Sequence, residues 1–361
     1  MKTIKNLTIC VFLFYGLNVF SQDPSFSQFY GNQTYFNPAF VGLHGGMMVN
    51  TTYRRQWLGV PSKFETYFVN FDSDISCING LGGFGISAYK DIEGQGALTT
   101  QGMNLMLSTR LSTGRNSFFQ LGAGVAILQK TIDWSKYTFS DQYDPLQGLS
   151  YPTSFNHPSD HTFIFPDMSF GLIWKYGDGP KKGLLNNNFD FKFSAAVQHI
   201  TEPKMSFLGQ ETFLPKKIIF NINSNISLNR NADFIISPCI VEECQYPMST
   251  IMFGYNLLWS ETFFIGNWFR FNTTNTLSFT FGFNSRFHKD NRSTYDLFKF
   301  YYCYDLPFTG LKYNASGGSH ELGIAYLFNR SLCSLFNLGG GSNKNRRIRR
   351  IPCPDPSVSS Y

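Results

Sequence analysis

The chain has 361 residues, a formal net charge of +6, 15% charged residues and 17% aromatic residues, with 39 Phe and 19 Tyr. Its mean hydropathy is nevertheless −0.17. Disorder requires high charge and few aromatics, a helical membrane protein requires repeated apolar runs of about 20 residues, and a nucleic-acid binder requires a concentrated basic footprint; none fits this composition.

Residues 1–21 read as a secretory leader. Lys2 and Lys5 precede an apolar stretch from Leu7 to Leu17, and Val19 and Ser21 stand where a signal peptidase expects small residues. Gln22 is then the first mature residue, and the chain leaves the cytoplasm. Residues 22–46 follow as Gln22-Asp-Pro-Ser-Phe-Ser-Gln-Phe-Tyr30, Tyr35-Phe-Asn-Pro-Ala-Phe40 and Val41-Gly-Leu-His-Gly-Gly46. This stretch is too rich in Pro and Asn for a strand, and Asn37-Pro38 favours a turn. It is read as a cap on the periplasmic mouth of a barrel or as a plug within it.

From residue 47 the recurring signal is alternation. Leu277, Phe279, Phe281 and Phe283 share one face, and Thr276, Ser278, Thr280, Gly282 and Asn284 share the other. The same pattern marks 103–111, 189–198, 218–228 and 321–328. One face is packed with Phe, Leu and Ile while the other carries Ser, Thr, Gly and Asn. That is the pattern of strands with lipid on one side and a polar lumen on the other. Fourteen strands are predicted, near 47–57, 64–74, 81–90, 102–112, 117–128, 166–176, 189–198, 218–228, 233–241, 249–258, 262–270, 275–284, 296–304 and 320–328. The fold expected is an all-β transmembrane outer-membrane β-barrel of about 14 antiparallel strands, with an N-terminal plug or cap segment and a periplasmic C-terminal tail. Tyr53, Trp57, Tyr89, Trp174, Tyr176, Trp259, Trp268, Tyr301 and Tyr302 are read as an interfacial girdle. Connections after even-numbered strands are mostly short and those after odd-numbered strands often long, which puts both termini in the periplasm.

Glu321-Leu-Gly-Ile-Ala-Tyr-Leu-Phe328 resembles the assembly signal on the last strand of outer-membrane barrels. Residues 329–361 continue beyond it as a tail with the basic run Arg346, Arg347, Arg349 and Arg350, and then Cys353. Facing the periplasm, such a run suits an acidic protein surface or lipid headgroups. The cysteines after the leader are Cys77, Cys239, Cys244, Cys303, Cys333 and Cys353, read as structural or bridged rather than metal-binding. Asp141, Asp144, His157, Asp160 and His161 lie in a long loop and are read as local turn formers rather than metal ligands. No spacing suggests a nucleophile with its base, a phosphate loop or a zinc helix, so neither an enzyme nor a cofactor is expected.

Several segments occur in the order found in the PorP/SprF family of type IX secretion and gliding proteins, which the chain resembles. They are Gln22–Tyr30, Asn37-Pro-Ala-Phe40, Tyr53-Arg-Arg-Gln-Trp57, Asp133–Asp141, Tyr151-Pro-Thr153, His199-Ile-Thr-Glu-Pro203, Leu214-Pro-Lys216, Tyr304-Asp-Leu306, Ser319-His-Glu-Leu322 and Pro352-Cys-Pro354. The resemblance implies a non-enzymatic outer-membrane subunit that couples a periplasmic ring to an exported cargo. Its implied partners are a ring lipoprotein or peptidoglycan-linked periplasmic subunits, an exported adhesin with a C-terminal secretion domain, and outer-membrane lipid; nucleic acid is not among them. Partner-binding residues implied are Phe26, Phe29, Tyr30, Asn37, Pro38 and Phe40 in the N-terminal segment, and Arg346, Arg347, Arg349, Arg350 and Cys353 in the tail. The rival reading is a barrel for small solutes, because Tyr35-Phe-Asn-Pro-Ala39 also resembles the hatch segment of long-chain fatty-acid transporters.

Overall fold

The structure, a computed structural model, describes residues 23–78, 80–95, 98–114, 116–156, 162–177, 189–205, 212–229, 233–288 and 295–336. The leader, His157, Asp160, His161, and the tail residues Arg346, Arg347, Arg349, Arg350 and Cys353 lie outside the described residues.

The strands are β1 (Met47–Arg55), β2 (Glu65–Asp74), β3 (Gly83–Glu93), β4 (Leu98–Ser112), β5 (Ser117–Ile132), β6 (Thr162–Tyr176), β7 (Phe189–Gln198), β8 (Lys217–Ser227), β9 (Phe234–Gln245), β10 (Met248–Trp259), β11 (Phe263–Phe271), β12 (Thr276–His288), β13 (Tyr295–Pro307) and β14 (Ser319–Phe328). Each pairs antiparallel with its sequence neighbours, and β1 also pairs with β14, with Met47 opposite Phe328 and Arg55 opposite His320. The sheet closes, so no edge strand remains to be satisfied in lipid. The end where Met47 meets Phe328 is called the near end below, and the opposite one the far end.

Alternation does what the sequence predicts. Met103, Leu105 and Leu107 of β4 are exposed outward, while Met106, Ser108 and Arg110 are buried inward. Phe279 and Phe281 of β12 face out, and Ser278 and Thr280 face in. Several strands outrun their apolar windows: β4 begins at Leu98, β5 ends at Ile132, β6 begins at Thr162 and β9 ends at Gln245. Hydrophobic alternation marks only the lipid-facing part of a strand. The ladder continues beyond it with polar residues such as Thr99, Thr100, Gln129 and Thr131, whose backbones pair equally well.

Three assignments to the aromatic girdle are corrected. Trp268 and Tyr301 are buried inside the barrel, and Tyr89 packs inward against Tyr35. Period-2 parity decides this. Trp268 shares the inward face of β11 with Phe264 and Arg270, and Tyr301 that of β13 with Cys303 and Asp305. The remaining pattern of connections is mixed. Segments 133–161, 199–216 and 308–318 at the far end are long, but 94–97, 246–247 and 272–275 at that same end are tight. Two short ribbons (Tyr143–Asp144 with Gly148–Leu149, and Lys204–Met205 with Thr212–Phe213) decorate the long ones.

Candidate functional site

The inward-facing residues do not enclose an empty bore. Residues 23–46 lie among them, beginning at the far end and reaching the near end where β1 starts. The local conformation follows from the sequence. Asn37 is extended, its Oδ1 accepts from the Ala39 N–H at 2.8 Å, and Pro38 opens a single 3₁₀ turn with its φ already set. The Gln33–Phe36 turn precedes it. Phe26, Phe29, Phe36 and Phe40 are almost wholly buried and form one cluster with Tyr35, Trp268 and Tyr89. Their rings meet mostly tilted or edge to face: Phe26 to Tyr35 at 4.9 Å, Phe29 to Phe40 at 5.8 Å and Tyr30 to Trp268 at 5.8 Å. The inward turn of the three misassigned aromatics therefore has a cause: they pack against or beside this segment. Tyr301 reaches Asn32 at 3.2 Å through its hydroxyl, and Gly31 and Gly323 leave the space its ring fills.

Three polar clusters fasten the segment. Toward the far end, where β1, β13 and β14 meet, Arg54 bridges Asp305 at 2.8 Å and Glu321 at 3.2 Å. The Ser27 N–H donates to Glu321 at 2.6 Å, the Ser27 hydroxyl to Asp305 at 2.6 Å and the Gln28 N–H to Glu321 at 3.1 Å. Arg270 donates to the Phe26 carbonyl at 2.7 Å. At the far end, the His199 ring joins Asp23 at 2.6 Å and Asp167 at 2.9 Å. Burial disfavours the imidazolium, but the two carboxylates outweigh it and raise His199 to about 9. Lys217 pairs with Glu243 at 2.6 Å nearby, and the Asp23 N–H donates to Gln245 at 3.3 Å. At the near end, Asp72 accepts from the Gly42 N–H at 3.0 Å, Arg110 donates to the Gly42 carbonyl at 3.1 Å, and Ser108 and Gln120 donate to the Val41 carbonyl at 2.9 and 2.8 Å.

The wall is thinned where the segment touches it. Asn37 donates to the carbonyls of Leu172 and Ala195, both at 3.2 Å, and a Cβ added at Gly122 or Gly171 would collide with Ala39 or Asn37. Above Asp23, Pro24 and Ser25, the far end opens into a cavity of about 600 Å³ whose lining includes Arg54, Trp57, Phe64, Asp91, Glu93, Lys217 and Glu243. At the near end, Cys77 in the β2–β3 connection and Cys333 form a disulfide, which ties the short helix Leu332–Leu335 to the barrel rim. The Leu332 N–H donates to Ser73 at 3.0 Å beside it. Cys239, Cys244 and Cys303 are free thiols among the described residues.

The predicted partner residues Phe26, Phe29, Tyr30, Asn37, Pro38 and Phe40 are thus brought together, with the barrel's inner wall as their partner in this structure; the Tyr30 hydroxyl, for example, donates to the Ser237 carbonyl at 3.2 Å. In the long loop, Asp144 accepts from the Leu146 N–H at 2.7 Å in a local turn, whereas Asp141 accepts from the Ser154 N–H at 2.6 Å, thirteen residues on, and so ties two parts of the loop together. The charged fasteners Arg54, Asp305, Asp23 and His199 were not singled out as a site. The available signal was ionisable residues on otherwise small, hydroxylated inward faces, which in a membrane protein mark function or internal pairing.

Residues 18–326 match the profile of a family described as type IX secretion system membrane protein PorP/SprF. No curated protein matches the sequence. Among solved structures, the chain is similar to the CymD monoaromatic hydrocarbon channel (TM-score 0.47, 9% identity, 83% of this chain and 94% of that one). It is also similar to the Ralstonia pickettii toluene transporter TbuX (TM-score 0.45, 10% identity, 82% and 93%) and to a Pseudomonas aeruginosa FadL homologue (TM-score 0.41, 10% identity, 85% and 98%).

Proposed function

The chain belongs to the PorP/SprF family of type IX secretion system membrane proteins, and from that premise we propose that it is a non-enzymatic coupling subunit. As a member, it is an outer-membrane β-barrel with a role in type IX secretion. In the proposed role it links the periplasmic ring to the export and surface attachment of a cargo protein such as a large adhesin. The near end faces the periplasm, where the basic tail meets a ring lipoprotein or peptidoglycan-linked subunit. The far end, with the longest connections, faces outward and meets the cargo.

One observation supports coupling over conduction most strongly. The N-terminal segment runs the length of the lumen and is fastened toward both ends, and between them through Asn50 and Thr52, by buried polar contacts. A barrel filled in this way is suited to passing contacts from one side to the other. Deleting residues 337–361, beyond the disulfide, tests the reading. Cargo should disappear from the cell surface while the barrel still shows heat-modifiable migration. Undiminished cargo display would contradict it.

A second reading, transport of a small solute, draws on the cavity of about 600 Å³ at the far end. It predicts solute uptake by liposomes carrying the purified barrel alone, unaffected by the same deletion.

A further inference from the structure

We propose that the far-end cavity is a binding site for an ammonium or guanidinium group, presented by a basic peptide or by a small amine. The site stands on its chemistry and does not depend on the secretion role.

Its cations are already engaged. Arg54 is held between Asp305 and Glu321, Arg270 donates to the Phe26 carbonyl and to Ser27, and Lys217 is paired with Glu243. Its carboxylates are in excess. Asp91 and Glu93 stand two positions apart on β3 and both line the cavity. Asp91 accepts from the Thr66 hydroxyl at 2.6 Å, a neutral partner, and shares a hydrogen bond, and so a proton, with Glu93. Lys130 lies two strands along in the same register, through Thr100, and the proton that the two carboxyls share is what an incoming cation would displace. On the opposite wall, Glu243 is 5% exposed and spends Oε2 on Lys217, while its Oε1 has no partner. A buried carboxylate oxygen without a donor costs free energy that an incoming N–H recovers.

An aromatic pair flanks the acid pair. Trp57 and Phe64 meet edge to face with centroids 4.9 Å apart, and both line the cavity. The register places them there: the Gln56 N–H donates to the Phe64 carbonyl, Thr66 lies opposite Asp91, and Glu65 opposite Ile92. Trp57 adopts φ +54°, a left-handed conformation that a bulky residue rarely takes. Its N–H is held by Ser319 and the next N–H by the Gly318 carbonyl, which fixes the backbone that carries the indole at the rim. Carboxylates beside aromatic faces attract organic cations by both charge and cation–π contact.

The test uses the full-length protein in detergent and calorimetric titration with three probes: the blocked tripeptide Ala-Arg-Ala, its Ala-Glu-Ala counterpart, and spermidine. The Arg peptide should bind, more weakly at high salt, and the Glu peptide should not. Glu93→Gln and Trp57→Leu should each weaken binding by about tenfold, the effect of one charge-assisted or cation–π contact. Competition by spermidine supports the site and assigns small amines as its source; peptide binding that spermidine does not displace supports it and assigns polypeptide. Trp57→Leu carries the test if Glu93→Gln fails to fold. The proposal is overturned by absence of binding, by equal binding of the Glu peptide, or by folded variants that bind like the parent.

Discussion

Replacing Arg54 by Met is the sharpest perturbation of the filled lumen. The side chain keeps most of its length but loses both ion pairs, leaving Asp305 and Glu321 facing each other at 2% and 1% exposure. Breaking a buried pair by removing one partner costs about 3–5 kcal/mol, because the remaining charge is uncompensated. The wall cannot relax far, since β13 and β14 are laddered to each other and to β12 and β1. The N-terminal segment can, because Ser27 and Gln28 are held through those same carboxylates. Opening of the segment should therefore become roughly a hundred- to several-thousandfold more populated. Hydrogen exchange at the Ser27 and Gln28 amides reads this directly, with heat-modifiable migration as the control that the barrel is intact. Protection within threefold of the parent in an intact barrel would refute the idea that the Arg54 cluster holds the segment.

Three further outcomes are expected. His199 has its folded value raised to about 9 against roughly 6.5 when unfolded, so its contribution, on the order of 3 kcal/mol, is complete below pH ~6.5 and lost as pH rises through 9. Exchange near Asp23, corrected for intrinsic rates, should accelerate over that window, and His199→Gln should abolish the pH dependence. Gly122→Val places branched carbon against the backbone of Pro38 and Ala39; it should destabilise the docked segment by about 1–3 kcal/mol, seen as new protease cleavage within 23–46. Cys333→Ser should leave the barrel folded but free the Leu332–Leu335 turn, which is too short to persist unaided, so that its amides exchange without protection and Cys77 reacts with a thiol reagent.

The sequence carried the barrel because a membrane strand repeats one instruction many times. Phe279, Phe281 and Phe283 against Ser278, Thr280 and Gly282 say the same thing as Met103, Leu105 and Leu107 against Asn104 and Ser108, so strand number was legible throughout, and facing wherever the alternation was unbroken. Strand length was less so, because Gln129 and Thr131 extend a ladder without any apolar mark. Trp268 and Tyr301 were misread for a related reason: an aromatic read as lying at a strand end has two explanations, only parity with Arg270 and Cys303 separates interface from interior, and Tyr301 in fact stands at the centre of its strand. The lumen contacts were the least legible. Nothing in spacing brings Ser27 to Glu321 or Asp23 to His199; those distances are set by closure of fourteen strands around a segment that has no periodicity of its own. The Cys77–Cys333 pairing was likewise hidden, since its sequence separation of 256 spans the whole ring.

The coupling role itself is tested most directly by recovering the tagged protein from its native envelope in mild detergent and identifying what accompanies it by mass spectrometry. Co-purification of periplasmic ring subunits or of a giant exported adhesin is the predicted result. A barrel recovered without partners, and active in solute uptake once in liposomes, would contradict it.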